Sequence, residues 1–139
     1  MANSSVRYDR GQRPFLIVTL PTGEVSDEEF RAHLAEMDEF ANQAEGSAFG
    51  FVIDTRAAPD PNAARRRAIA EYWDNCQRRH GSSFLGAAIA MSSSTGRAVF
   101  KAILWLRARP LVLLPVATPE EGLKQLRAIA RTSARTATP

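Results

Sequence analysis

The chain is nearly without cysteine. Cys76 stands alone among 139 residues, so no internal disulfide can form, and a lone thiol fits a reducing compartment. A cytoplasmic location is the expectation. Lysine is almost as scarce. Lys101 and Lys124 are the two, and arginine carries nearly all the positive charge. The net charge is +3 and the pI about 9.6, but no aromatic residues are interleaved with the arginine clusters, as a nucleic-acid stacking platform requires. The arginine and alanine bias fits a GC-rich genome, and nucleic acid is not expected as a partner. No apolar run reaches the roughly 18–20 residues of a membrane span. The stretch MANSSVRYDRGQRP has no apolar centre of a secretion signal. Integral membrane association is therefore not expected. Two histidines, His33 and His80, complete the short supply. Zinc needs three or four converging ligands, and nothing here has that spacing, so no metal and no cofactor are expected.

What is present suffices for a core. Hydrophobic residues make up 45% and charged residues 24%, the proportions of an ordinary globular chain of single-domain length. VRYDR and FLIVTL read as two short strands around a turn marked by Gly11 and Pro14. Residues 26–46 read as a helix. Ser26 and Glu29 make a capping box, and three acids occupy its first turn. Phe30, Leu34, Met37 and Ala41 form its expected inner stripe. AFGFVIDT is a buried strand. Asp60 is the expected cap of the next helix, with Pro61 at its first position and Ala68, Ile69, Tyr72, Trp73 and Cys76 inward. FLGAAIAMS is another buried strand, and its small residues 86–88 admit a close helix. RAVFKAILWLRAR is helical up to Pro110, with Val99, Ala102, Ile103 and Leu106 inward. LVLLPVA is the last strand, and Pro115 within it argues for a sheet edge or a bulge. Thr118 and Glu121 start a final helix, with Leu123, Leu126 and Ile129 inward. The order β-β-α-β-α-β-α-β-α implies parallel crossovers plus an N-terminal antiparallel hairpin. Residues 1–131 are expected to form one domain and 132–139 a disordered tail.

That order, carried by FGFVIDT and by KAILWLRARPLVLLPVATPEEGLKQL, resembles the STAS superfamily, and within it the SpoIIAA-like and SEC14-related group of small bacterial single-domain proteins. The resemblance spans about residues 6 to 131. It implies an α/β fold with a STAS-like mixed sheet of four to five strands, an N-terminal hairpin and four helices. Anti-sigma-factor antagonists of the superfamily carry a phosphorylatable hydroxyl at the start of the second helix. The matching stretch here is Asp60, Pro61, Asn62 and Ala63. Asn62 therefore marks a switch position that cannot be phosphorylated.

Several residues invite chemistry. Cys76 and His80 lie one helical turn apart and could form a thiolate pair, but Cys76 falls on the inner stripe and His80 suits the negative helix end. His33 lies one residue off the inner stripe of the first helix. Ser93, Ser94, Thr95 and Arg97, with Arg56, could form an anion or ligand loop before a helix N-terminus. Asp54 is a carboxylate at a strand end with no second acid to pair. The first helix is acidic and the second basic, which could steer self-association or a partner. Phe100, Leu104 and Trp105 lie off the expected inner face of the third helix and mark an interface candidate. The expected function is a non-catalytic regulatory or scaffolding module that binds a protein partner or a second copy, as a homodimer. The alternative is a binder of a small lipid or apolar ligand. An enzyme is not expected.

Overall fold

The computed structural model of the protein describes residues 6–105 and 113–137, with side chains placed for 6–102 and 113–133. Strands β1 (Arg7–Asp9), β2 (Phe15–Thr19), β3 (Phe49–Asp54), β4 (Phe84–Ala90) and β5 (Leu113–Val116) form one sheet in the order β1-β2-β3-β4-β5. β1 runs antiparallel to β2, and the other neighbours are parallel. Helices α1 (Asp27–Gln43), α2 (Ala63–His80), α3 (Ser94–Trp105) and α4 (Pro119–Ala137) follow β2, β3, β4 and β5 in turn. The expected mixed sheet, hairpin and four helices are all present. Pro115 sits within β5, at the edge, where its missing N–H leaves no ladder bond unmade.

Because β2 to β5 advance steadily across the sheet, crossovers of one hand put their helices on one face. Alternate strand residues then feed two cores. Leu16, Val18, Phe51, Ile53, Ala87 and Ile89 face Met37, Phe40 and Ala41 of α1 and Tyr72, Trp73 and Cys76 of α2. Phe15, Val52, Leu85, Ala88, Ala90 and Val116 face α4 through Leu126. β3 and β4 are buried throughout, as strands covered on both faces must be.

The close approach expected at residues 86–88 comes from α4. A Cβ on Gly122 would stand 2.6 Å from the Ala88 Cβ. β4 also carries a bulge. Phe49 pairs with Phe84 and Phe51 with Ala87, so Leu85 and Gly86 together oppose Gly50. Gly86 has a φ of 135°. A Cβ on Gly50 would lie 3.0 Å from the Gly86 carbonyl oxygen and 3.1 Å from the Phe15 ring.

Four expectations are corrected. The cap of α2 is Asn62, not Asp60: its side-chain oxygen accepts from the Arg65 N–H at 2.8 Å. Asn caps as well as Asp, and Pro61 before it holds the chain outside the helix. The buried stripe of α1 is His33, Met37, Phe40 and Ala41, while Phe30 and Leu34 are half-buried. The helix is rotated by about one residue because β1 covers it beside His33. On α3, Val99 is 54% exposed and Ala102 is exposed, whereas Phe100 is half-buried against the first core. Finally, α4 runs on to Ala137, well into the segment 132–139 expected as a disordered tail.

Candidate functional site

In a sheet of this kind the strand carboxyl ends, where connections part, form the natural crevice. Here the backbone groups at that rim bond inward. Leu20 N–H donates to the Asp54 carbonyl at 3.0 Å, Thr55 N–H to Ala90 at 3.0 Å, and Met91 N–H to Val116 at 2.9 Å. The Thr55 hydroxyl donates to the same Ala90 carbonyl at 2.8 Å. It is tied into the sheet and does not present a nucleophile.

Asp54 is a buried carboxylate at this rim. Arg56 folds back on it. Its Nε donates to Oδ1 at 2.9 Å, its Nη2 to Oδ2 at 3.0 Å, and its backbone N–H to Oδ1 at 3.1 Å. Burial pushes the Asp54 pKa up, but the Arg56 hydrogen bonds and charge outweigh it, and the net position is below the ordinary carboxylate value. The pair is a bidentate fork across a D-x-R spacing at a strand end. That spacing is the sequence signal for the pair, and it is missed when Asp54 and Arg56 are considered one at a time.

The five residues expected as one anion or ligand loop are divided among different tasks. Arg56 serves Asp54. The Ser93 hydroxyl accepts from the Gly96 N–H at 3.0 Å and so caps the start of α3. Thr95 is exposed. Ser94 and Arg97 do come together, with Lys101, Glu121 and the β5 end at Pro115, in an open cleft of about 340 Å3. Arg97 is held there by donating to the Met91 carbonyl at 2.5 Å. Glu121 is held too, accepting from the Ala117 N–H at 3.2 Å.

The remaining candidates resolve individually. Burial pushes the Cys76 thiol up to about 12, the condition of an inert core thiol. His80 stands edge-on to Phe49 at 5.1 Å between ring centres. Each residue packs in its own place. Among the described residues no cluster of three or more His, Cys, Asp or Glu could hold a metal, and no helix is long and apolar enough to cross a membrane. Charges on α1 and α2 meet within the molecule. Arg65 pairs with Asp27 at 2.9 Å and stacks 4.2 Å over the Phe30 ring. Asp38 accepts from the Tyr72 hydroxyl at 3.0 Å and has Arg79 at 3.7 Å. These contacts clamp the two helices side by side.

Of the interface candidates, Phe100 lies against the first core. Leu104 and Trp105 fall on the last turn of α3, and their side chains lie outside the described residues. The exposed residues of α3 are Ser94, Thr95, Ala98, Val99, Lys101 and Ala102 among those described; the apolar ones, Ala98, Val99 and Ala102, share one helix side at i, i+3 and i+4 spacing.

No family model matches the chain, and no curated protein matches it by sequence. Among solved structures it is similar to an uncharacterized protein of the DUF3478 family with a SpoIIAA-like fold from Shewanella loihica PV-4. The identity is 14%, the match covers 91% of this chain and 98% of that one, and the TM-score is 0.59. At that identity the likeness speaks for the fold, and it agrees with the STAS-like order of strands and helices seen here.

Proposed function

We propose that the chain is a non-catalytic regulatory or scaffolding module that acts through protein–protein contact. It resembles anti-sigma-factor antagonists in plan but lacks their phosphorylatable serine. The observation that carries this reading is the outward apolar strip of α3, where Val99 is 54% exposed beside exposed Ala98 and Ala102. Val99 is the exposed large hydrophobic among the described residues, and with an alanine on either side of it the apolar surface is contiguous, which a covering partner would remove from water. The rim residues support the same reading from the other side. Asn62 spends its side chain on capping, and the Thr55 hydroxyl is tied to Ala90. Phe100, the first of the three residues expected at an interface, packs on the first core, so the reading rests on Val99 and its exposed neighbours.

Binding of a small lipid or apolar ligand is the other reading. The described cleft lends it little, since Arg97, Lys101 and Glu121 line it. Native mass spectrometry separates the two. A dimer, or a stable complex with a protein partner, that is weakened by Val99→Asp at equal folded fraction supports the module. A monomer that retains a lipid-sized ligand and is indifferent to Val99→Asp overturns it.

A further inference from the structure

β1 is three residues long and, among the described residues, pairs with β2 alone. Its flanking side chains Arg7 and Asp9 are exposed, and Tyr8 points inward to pack against the first core. Tyr8 meets His33 of α1. The hydroxyl lies 3.0 Å from His33 Nδ1, and the rings stack with centres 6.0 Å apart and planes 29° apart. The second link from this segment to α1 is the ion pair of Arg10 with Glu36, which is partly exposed and so contributes little. Beyond the ladder to β2 and the packing of Val6 on the first core, the hold of β1 on α1 therefore centres on one tyrosine and one histidine.

His33 is 8% exposed, enclosed by Tyr8 and by Phe30 at 6.4 Å. A neutral ring has one N–H, and its contact with the tyrosine hydroxyl needs no counter-charge. A charged ring carries two N–H groups and a positive charge into that apolar enclosure, where burial disfavours it. The charged groups around it are already engaged. Glu36, one turn along α1, is held by Arg10, and Arg65 from α2, stacked on Phe30, is paired with Asp27. No ion pair joins His33 to an acid among the described residues.

We infer that β1 is an acid-released latch: neutral His33 holds Tyr8 and keeps β1 down, and protonation of His33 lets β1 lift while the sheet from β2 to β5 stays folded. Lifting bares the outer edge of β2, a row of free backbone donors and acceptors able to take another strand. Burial lowers the His33 pKa from the ordinary value of 6.5 to about 4. The latch is then shut at neutral pH, and opening becomes easier as pH falls through that window.

Hydrogen exchange, followed amide by amide across pH 7 to 4 at low denaturant, tests this. The amides joining β1 to β2 should exchange through a local opening, less protected than the β3–β4 ladder and little affected by denaturant. Their protection should fall by up to about 80-fold between pH 6.5 and 4, out of a limit of about 300-fold over the whole titration, the pKa difference expressed as a population ratio. In His33→Phe that fall should vanish, since the ring remains and the charge cannot form. Protection of β1 equal to that of β3–β4, or an undiminished fall in His33→Phe, overturns the latch. Tyr8→Phe provides a check that does not depend on replacing the histidine. It should loosen the β1–β2 amides at pH 7 and leave β3–β4 unchanged, and no loosening overturns the proposal.

Discussion

Single atoms decide two positions in this molecule. Gly122 lets α4 sit directly on β4, where any Cβ would stand 2.6 Å from that of Ala88. Gly122→Ala should cost about 1–3 kcal/mol in urea unfolding, the range of overpacked cores. Ala88→Gly in the same chain should recover part of that loss, because it removes the clashing atom. Equal midpoints for wild type and Gly122→Ala would show that the helix shifts freely. His33 sets the second position. In the unfolded chain a histidine takes up its proton near 6.5, but in the fold it stays neutral down to about 4. Between those values the unfolded state binds more protons. Stability is then full above about pH 6.5, falls as pH drops, and loses nothing further from this group below about 4. The whole loss is about 3 kcal/mol. Unfolding midpoints measured at pH 7, 5.5 and 4 in wild type and in His33→Phe should diverge in that order.

The elements were legible where hydrophobic runs and caps agreed. FGFVI and FLGAAIA are unbroken apolar runs, and both lie in buried strands. The Ser26–Glu29 box formed with both of its hydrogen bonds. What escaped was the rotation of helices and the use of polar side chains, since both depend on neighbours distant in sequence. His33 is buried because Tyr8, on another element, comes to lie on it. Val99 and Phe100 exchanged roles because hydrophobic spacing on α3 serves either orientation, and the core took Phe100. Asp60 and Asn62 are both good caps, and local sequence did not choose between them. That cap yields a prediction. Asn62→Ala should cost about 1 kcal/mol of stability, and Asn62→Asp should keep the cap and add charge favourable to the helix dipole. If Asn62 is purely a cap, neither change should alter self-association at equal folded fraction, as read by sedimentation. A change in association without a change in stability would make Asn62 a contact residue.

At the scale of the whole chain, the two faces of the sheet are covered unequally. α1 and α2, with Phe100 of α3, lie over one face, and among the described residues α4 is the helix over the other. Phe15, Val52, Leu85, Ala88 and Val116 all rely on it. A sheet of parallel strands is stable only when both faces are dry, so the last helix cannot be an appendage. Ending the chain before Pro119 should bare that apolar face and leave a product that aggregates or lacks a cooperative unfolding transition. Ending it after Ser133 keeps Leu123, Leu126 and Ile129 in place. The cut falls beyond the described residues that pack on the sheet, and the shortened chain should unfold with nearly the wild-type midpoint. Circular dichroism melts of the two truncations make the comparison. A folded, cooperative product without α4 would mean that something other than this helix covers the second face in solution. A second copy docking there would then be the first arrangement to look for by light scattering.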